Sequence, residues 1–366
     1  MAPPPPPPSA PSLVGLLAAA ALLASAAAAA AATATADAAD ASSPSSPRLV
    51  TIWGVLKSDP PRQRTAVGAL NLTSGAIAWS APFEIPLQLD FRAAAFAPSA
   101  AAAGGAPAYI VATGAPGFEA QYGMQVVLLN GSVAHALRTE PLWDWPTVAF
   151  DARTGLAVGF GFRGDALVPS IATLDPADGS VFVVDSGADL AFVDGFMASE
   201  CALLPALGAN GSFVFVADGG PQAPEESTQL VVVDLARGKV TARALVDNLI
   251  QAVCAWASPE DGTPLVLAVL YVAYGPRLAV LVSVDPTATE WAPTVLYTFR
   301  KGLSPTLSGT GIIGSTLVVV AQDEATDGFE LVVFDDLARP GPLSPRSLPL
   351  DLSFVPEGVA GIAGIA

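Results

Sequence analysis

The chain has 366 residues but only one histidine and two cysteines. Zinc sites usually need several His or Cys ligands, and a Ser-His-Asp triad needs its own histidine. His135 is the single candidate for either role, and its segment SVAHALRT has the pattern of an outer strand. A G-x-S-x-G nucleophile motif is also missing. These shortages argue against zinc catalysis and serine hydrolysis, and they favour a structural role for His135.

Basic residues are scarce as well. There are 16 Lys and Arg against 33 Asp and Glu, which gives a formal net charge of −17. Nucleic acids and anionic membrane surfaces are bound by clusters of Lys and Arg, and the sequence contains no such cluster. We therefore expect neither nucleic acid nor a membrane surface as a partner of the folded domain. The acidic excess keeps a chain with 52% hydrophobic residues in solution.

The first 47 residues contain no Lys or Arg and do not have the composition of a folded domain. A Pro-rich start is followed by the apolar stretch Leu13–Ala32, which is long enough to cross a bilayer but consists mostly of Ala. Small residues after it offer signal-peptidase sites. We expect a signal peptide over 1–36, an Ala/Ser/Pro-rich linker over 37–47 and a folded domain over 48–366. The expected localisation is extracellular or within the secretory pathway. The alternatives are an uncleaved N-terminal helix that anchors the protein in a membrane, and a low-complexity tail of a cytosolic protein.

Three N-x-[ST] sequons support export, at Asn71, Asn130 and Asn210. Each falls in a segment with the composition of a hairpin turn, where an attached glycan would lie in solvent. The sequence therefore predicts N-glycosylation at these three residues.

Two series of turn motifs repeat through the folded region about every 52 residues. One series ends in Gly and the other begins with Asp or Asn. The first is at Gly105, Gly155, Gly211, Gly262 and Gly314, and the second at Asn71, Asn130, Asp175, Asp234, Asp285 and Asp335. Two turns in each repeat, with short apolar runs between them, predict an all-β fold of the β-propeller type.

The order of residue sizes within each repeat gives the arrangement of strands. A strand of small residues, such as QAVCAWA, comes first and suits the crowded axis, and strongly apolar strands follow that suit burial on both faces. The repeat length predicts six four-stranded blades, with seven as the alternative because the repeat lengths vary. The first repeat, from Arg48–Leu56, lacks an axis strand, whereas Pro356–Ala366 has the pattern of one. We therefore predict a six-bladed β-propeller closed by the C-terminal strand, which joins the N-terminal blade beside Val50–Val55.

The turns, such as VDPTAT at Asp285, resemble the D-P-x-T-G turns of quinoprotein-type repeats in the six-bladed β-propeller superfamily. Glu357 and Gly358 are also similar to the E-G-P of the axis strand in regucalcin-like lactonases. Glu357, Glu200 and Asp194 could face the channel or its rim, with Asn248 nearby. The resemblance implies a divalent metal at the channel mouth, held by such oxygen ligands, because hard cations take them. The alternative is that these residues are solvated parts of the rim. The other ligand motifs of the lactonases have no counterpart, and WD-repeat and kelch signatures are absent.

Trp143, Asp144 and Trp145 form the densest aromatic cluster, in a segment that we predict to be a loop leading into a blade. The cluster could stack on a sugar or anchor a protein partner, or it could fill the groove between two blades.

Cys201 and Cys254 lie one repeat apart, on neighbouring axis strands. They could form a disulfide in an oxidising compartment, or each could be a small buried side chain.

Two glycine-containing motifs are predicted to be structural. Gly309–Gly314 (GTGIIG) fits the dinucleotide-binding pattern, but it lies on an axis strand and its turn, and a strand rather than a helix follows. Asp323–Gly328 (DEATDG) resembles a calcium loop, but its spacing favours a turn.

The leading functional hypothesis is a secreted, non-catalytic propeller that binds a protein or a glycan through its rim loops. A second hypothesis is a metal-dependent hydrolase or lactonase that acts at the channel mouth. A third is a structural accessory protein without a ligand site. The sequence does not decide whether the protein is an enzyme, although it favours binding. No cofactor is expected, apart from a divalent cation under the second hypothesis.

Overall fold

The computed structural model describes residues 49–56, 63–80, 83–85, 88–98, 104–114, 123–138, 142–163, 168–185, 190, 200–204, 211–218, 227–246, 248–257, 263–272, 278–286, 292–338, 343–350, 352 and 359–365. The expected signal peptide and linker lie outside these ranges. Among the residues described, there is no helix of the length and apolar character that a bilayer crossing requires.

Every regular element in the described ranges is a β-strand, as the short apolar runs predict. The strands are β1 (Leu49–Leu56), β2 (Gln63–Asn71), β3 (Ile77–Trp79), β4 (Phe83–Ile85), β5 (Gln88–Ala97), β6 (Ala108–Gly114), β7 (Gly123–Leu128), β8 (Val133–Arg138), β9 (Leu142–Asp151), β10 (Leu156–Arg163), β11 (Val168–Leu174), β12 (Val181–Asp185), β13 (Glu200–Leu204), β14 (Ser212–Asp218), β15 (Thr228–Asp234), β16 (Lys239–Val246), β17 (Leu249–Ala257), β18 (Pro264–Val272), β19 (Leu278–Val284), β20 (Thr294–Thr298), β21 (Leu303–Ile313), β22 (Thr316–Asp323), β23 (Gly328–Phe334), β24 (Arg346–Leu350) and β25 (Val359–Ile365).

Five of the sheets in the described ranges each contain four consecutive, antiparallel strands. They are β5 to β8, β9 to β12, β13 to β16, β17 to β20 and β21 to β24, each paired in chain order. The first strand of each sheet contacts the first strand of the next, from β5 through β9, β13 and β17 to β21. These first strands are the small-residue segments that the sequence assigns to the axis.

The remaining sheet is built from both ends of the chain, and we call it the end sheet. Its strand order is β25-β1-β2-β3, and β4 also pairs with β2. β25 runs antiparallel to β1, with Ile365 opposite Ile52 and Val359 opposite Leu56. β25 also contacts β5 and β21, the axis strands of the first and last four-stranded sheets.

The prediction of six four-stranded blades needs a correction, because the residues that the structure describes form five four-stranded sheets. The end sheet has five strands, since the outer segment of the first repeat is divided. β3 pairs with Gly68–Leu70 and β4 pairs with Gln63–Thr65, and between them the main-chain N–H of Ser80 donates to the carbonyl oxygen of Val67 at 2.7 Å. Pro82 follows this point, and proline cannot donate to a strand ladder, so a divided outer strand suits this sequence.

Apolar side chains pack in layers between adjacent sheets. One example is the layer between β9 to β12 and β13 to β16, where the rings of Phe160 and Phe215 stack with centroids 5.0 Å apart. Another joins Ala66 and Leu70 of the end sheet to Val318 and Leu331 of the last four-stranded sheet. Strands such as β22 bury both faces in this way, which explains their unbroken Val and Leu runs.

The two turn series have a local chemical cause. Gly105, Gly155, Gly211 and Gly314 of the first series all have positive φ, a conformation that costs glycine little. In the second series, the first side chain caps its own turn: Asp234 Oδ1 accepts the main-chain N–H of Ala236 at 2.8 Å. The corresponding caps start at Asn71, Asn130 and Asp175. The positions of these turns are therefore confirmed, whereas Gly262 lies outside the described residues.

The sheets have two distinct ends. We call the end at which the axis strands begin the upper end, and the end at which they finish the lower end. Because consecutive strands are antiparallel, the chain enters every axis strand from the upper end, and both turn series lie at the lower end. The two ends therefore carry different parts of the sequence.

Candidate functional site

The upper end brings together most of the residues that the sequence singles out for binding. Trp143, Asp144 and Trp145 lie in the first half of β9, and Glu200 is the first residue of β13. Asn248 immediately precedes β17. Asp194 and Glu357 lie outside the described residues, in the stretches that connect β12 to β13 and β24 to β25. These residues are far apart in the sequence, and the topology alone brings Trp143, Glu200 and Asn248 to one end.

The aromatic cluster belongs to a strand, so its prediction as a loop is wrong. β9 begins at Leu142, and Asp144 lies opposite Phe162 of β10. The pairing shifts register before Thr147, which lies opposite Phe160. Pro146 stands at this shift and cannot donate a ladder hydrogen bond, which explains the local irregularity.

The predicted metal site stays a prediction. Among the described residues, no three His, Cys, Asp or Glu side chains lie close enough together to hold a metal ion. Asn248 uses its main-chain carbonyl oxygen to accept the hydroxyl of Thr228 at 2.8 Å, which ties the start of β17 to β15. Two of the four proposed ligands, Asp194 and Glu357, lie outside the described ranges.

The axis strands contain irregularities and buried polar groups that sequence reasoning missed. In β17, Gln251 is skipped in the pairing, because Ile250 lies opposite Leu270 and Ala252 opposite Val269. Gln251 Oε1 is buried without a hydrogen-bond partner among the described residues, and so are Thr147 Oγ1 and Thr310 Oγ1 on β9 and β21. Buried polar groups usually have partners, and bulges are frequent beside functional sites. The axis strands therefore present polar groups that these parts of the fold do not use.

An ion-pair network anchors one upper loop. Arg300, which follows β20, donates to the carboxylate of Asp323 at 2.8 Å and also to Glu330. The hydrogen bond from Arg300 is the main reason that the pKa of Asp323 lies below its ordinary value, and the hydrogen bond from the main-chain N–H of Ala325 lowers it further. The same carboxylates raise the pKa of Arg300. The network therefore ties the loop between β20 and β21 to β22 and β23 of the last four-stranded sheet.

The segment Asp323–Gly328 is a turn, as predicted. The Asp323 carboxylate is engaged by Arg300 and by the main-chain N–H of Ala325 at 2.9 Å. Asp327 Oδ1 accepts the side-chain amide of Gln322 at 2.5 Å. Both acids therefore serve the local structure.

The predicted positions of two further motifs are confirmed. His135 is an exposed residue of β8, the outermost strand of its sheet, opposite Val126. Gly309–Gly314 lies on β21 and its turn, with Gly314 at φ 60° and β22 directly after it. A Cβ atom at Gly309 would lie 2.0 Å from Thr306 Oγ1, so a close intrastrand approach accounts for this glycine.

The cysteines lie on neighbouring axis strands, as expected, but pack in different layers. Cys201 contacts the layer that contains Phe213 and Phe215, on the side of β9 to β12. Cys254 packs with Leu267 and Phe299, on the side of β21 to β24. No disulfide joins the two sulfur atoms in the structure. The layer between their own two sheets contains neither cysteine.

The sequons lie away from the binding candidates. Asn71 and Asn130 begin turns at the lower end, and Asn210 lies outside the described residues, in the stretch that connects β13 to β14. Asn130 is exposed, whereas Asn71 is half-buried. The expected glycans and the expected binding residues thus belong to opposite ends.

Two solved structures superpose on most of this chain. A chain from the crystal structure of a nidogen/laminin complex superposes with a TM-score of 0.51 at 11% identity, covering 87% of this chain and 97% of that chain. TolB from Acinetobacter baumannii superposes with a TM-score of 0.51 at 13% identity, covering 87% of this chain and 66% of that chain. The chain has a β-propeller fold. At these identities the likeness extends to the fold alone, and each four-stranded sheet is a blade. No protein-family model and no curated protein sequence matches the chain.

Proposed function

We propose that the protein is a secreted, non-catalytic β-propeller that binds a protein partner through the upper end of its blades. The observation that carries the proposal is the separation of the two ends. Trp143, Asp144 and Trp145 are at the upper end, and the sequons of Asn71 and Asn130 are at the lower end. Tryptophan is enriched at the energetic centres of protein interfaces. One structural neighbour comes from a protein–protein complex, which favours a protein over a glycan as the partner.

We also propose that the end sheet closes the fold into a ring between the last and the first four-stranded blades. β3 and β4 both pair with β2, whose other edge is occupied by β1, so they share one edge and act as two halves of one outer strand. The end sheet then has the same four strand positions as a four-stranded blade. β25 supplies the axis position, because it contacts both β5 and β21.

A repeated glycine contact supports this closure. At Gly238 of the blade β13 to β16, a Cβ atom would lie 2.2 Å from the carbonyl oxygen of Val184, on the outer strand of the preceding blade. At Gly75 of the end sheet, a Cβ atom would lie 2.6 Å from the carbonyl oxygen of Pro349, on β24. Both glycines close the turn between the third and fourth strand positions, and both have positive φ. The end sheet therefore follows the last four-stranded blade as other blades follow their neighbours.

Burial supports closure on the other side of the end sheet. Ala66 and Leu70 of β2 face the last four-stranded blade, yet the alternate residues Thr65 and Val67 are also buried. In β6, likewise, Tyr109 is fully buried although it lies on the face opposite Ile110, which packs on the next blade. Successive side chains of a strand point to opposite faces. A layer of side chains packed between the end sheet and the blade β5 to β8 would bury these second faces of β2 and β6.

The proposed partner site is tested by an affinity capture experiment. The immobilised protein is exposed to the extracellular medium or matrix of its source organism, and the molecules that it retains are identified. Three proteins are compared by quantitative mass spectrometry: the native chain, the variant Trp143→Ala/Trp145→Ala and the control Arg153→Ala. Arg153 lies at the lower end, in the turn between β9 and β10, so the control changes the same blade at its other end. Thermal melts establish that all three are folded.

The proposal expects a protein that the native chain and Arg153→Ala retain and that Trp143→Ala/Trp145→Ala loses. Binding of that protein, once purified, is then measured directly, and the tryptophan variant should bind it at least tenfold more weakly, as expected for loss of an interface anchor. Retention of the same proteins by all three chains would overturn the proposal. If the tryptophan variant instead loses an oligosaccharide, the partner is a glycan rather than a protein, and the binding site remains at the upper end.

A further inference from the structure

We propose that Asn130 is a site of N-linked glycosylation and that its glycan covers part of the lower end of the propeller. The proposal rests on the secretory location included in the proposed function. It requires that Asn130 is exposed, that its amide nitrogen is not used by the hydrogen bonds of the turn and that its sequon hydroxyl lies beside the amide. The turn after β7 meets each requirement.

The turn exposes the acceptor residue. β7 ends at Leu128 and β8 begins at Val133, and Asn130 and Ser132 between them are both exposed. Gly131 adopts φ 83° and donates its N–H to the carbonyl oxygen of Leu128 at 2.8 Å. The tight turn thus holds the sequon at the tip of a two-stranded hairpin.

The side-chain oxygen of Asn130 is held inside the turn. Oδ1 accepts the main-chain N–H of Ser132 at 3.0 Å and the hydroxyl of Ser132 at 2.7 Å. The amide nitrogen Nδ2 makes neither of these two hydrogen bonds. The hydroxyl that defines the sequon is therefore already beside the acceptor amide.

The other described sequon has a different setting. Asn71 Oδ1 accepts the main-chain N–H groups of Thr73 at 2.8 Å and Ser74 at 3.3 Å. Its turn packs against the neighbouring blade, since Gly75 approaches Pro349 and Leu72 accepts a hydrogen bond from Arg346. The exposed turn at Asn130 has no such neighbour among its described contacts, so the inference concerns Asn130.

The modification is a glycosyl transfer from an oligosaccharide carried on a polyprenyl diphosphate. The Nδ2 atom of Asn130 forms a bond to the anomeric carbon, and the bond from that carbon to the diphosphate oxygen breaks. The polyprenyl diphosphate leaves with the bonding electron pair, and one amide proton is lost to a base. The product adds a bulky, hydrated group to the surface.

The test is expression of the full chain in a eukaryotic secretory host, followed by peptide N-glycosidase treatment and peptide mass mapping. The enzyme converts a modified asparagine into aspartate, which marks the site. We expect the mark at Asn130 in the native chain and in Ser132→Thr, which keeps a sequon hydroxyl. We expect its loss in Asn130→Gln and in Ser132→Ala, and the second variant retains the asparagine in case the first fails to fold.

An unmodified Asn130 in the secreted chain would overturn the inference, and so would a chain that remains in the cytosol without a glycan. Partner retention by Ser132→Ala separates this inference from the proposed function. Retention without the glycan agrees with a partner site at the upper end. Loss of the partner together with the glycan would overturn the upper-end site while leaving the modification in place.

Discussion

The guanidinium group of Arg346 donates a hydrogen bond to the main-chain carbonyl oxygen of Leu72 at 2.6 Å, across a sequence separation of 274 residues. The same guanidinium group pairs with both carboxylate oxygens of Asp335, at 2.7 and 3.2 Å. Arg346 therefore connects the last four-stranded blade to the turn that follows β2 in the end sheet. A planar fork with several donors suits this double task, and an ammonium group would not reproduce it.

Loss of this connection should destabilise the fold. Arg346→Ala removes the hydrogen bond to Leu72 and the ion pair with Asp335, and we expect it to lower the free energy of unfolding by about 1 kcal/mol, because the side chains are partly exposed. Arg346→Lys should recover less than half of this loss. Urea denaturation checks the effect. Arg153→Ala, which removes an ion pair confined to one exposed turn, is the matched control and should change stability by less than about 0.5 kcal/mol. Equal effects of the two alanine variants would contradict the connecting role of Arg346.

A pair of glycine variants separates backbone strain from packing between blades. Gly75 and Gly155 have the same φ of 75°. Gly75 is buried, and a Cβ atom added there would lie 2.6 Å from the carbonyl oxygen of Pro349, whereas a Cβ atom added at Gly155 would have no atom within 4 Å. Gly155→Ala should therefore cost about 1–2 kcal/mol for the left-handed backbone alone. Gly75→Ala should cost about 1–3 kcal/mol more, because β24 must shift. Equal costs in denaturant melts would mean that the end sheet does not pack on β24.

The ion pair of Arg300 and Asp323 predicts a dependence of stability on pH. The pKa of Asp323 in the folded state lies below the unfolded value near 3.8. The pair therefore stabilises the fold above that pH, and this contribution is lost as the pH falls through the folded pKa. Between pH 7 and pH 3, the melting temperature of the native chain should fall further than that of Arg300→Gln.

A double-mutant cycle with Arg300→Gln and Asp323→Asn isolates this contribution from the other carboxylates. The coupling between the two residues should be present at pH 7 and should disappear at a pH below the folded pKa of Asp323. A coupling that is unchanged across this range would show that the two charges do not interact as described.

The packing of the two cysteines predicts two thiols. Because Cys201 and Cys254 face layers on opposite sides of their two adjacent blades, a disulfide between them would require both blades to be repacked. Thiol titration of the denatured, unreduced protein should therefore detect two thiols per chain. Detection of no thiols would mean that the axis strands are rearranged so that the two cysteines can form a disulfide. Reductant should not change the melting temperature of the native chain, and it should not change that of Cys201→Ser.

Local chemistry explains why much of the fold could be predicted from the sequence. A glycine such as Gly314 and a turn-capping residue such as Asp234 mark their turns by themselves, because positive φ and side-chain capping involve only neighbouring residues. Small residues on the axis strands and continuous Val and Leu runs beside them reflect crowding and two-sided burial. These signals locate the five four-stranded blades and the pattern of an axis strand at the C-terminus.

The features that were not predicted depend on contacts between distant segments or on irregular pairing. The division of β3 from β4 near Ser80 and the skipped Gln251 in β17 leave no periodic trace in the sequence. The sequence predicts a loop at Trp143 and Trp145, but a register shift beside Pro146 lets β9 begin at Leu142. The connection of Arg346 to Leu72 could not be foreseen, since a main-chain carbonyl gives no sequence signal of its partner.

The proposed closure of the propeller depends on the pairing of β25 with β1, and an engineered disulfide tests this pairing most directly. Ile52 lies opposite Ile365, so Ile52→Cys/Ile365→Cys should form an intramolecular bond on oxidation. Because the bond closes a very long loop, it should stabilise the fold by about 4 kcal/mol or more. The out-of-register control Ile52→Cys/Val359→Cys should form little, since Val359 lies opposite Leu56. We predict that peptide mapping of the oxidised monomers finds the disulfide only in Ile52→Cys/Ile365→Cys. Absence of the bond, or equal bonding in both variants, would contradict the account.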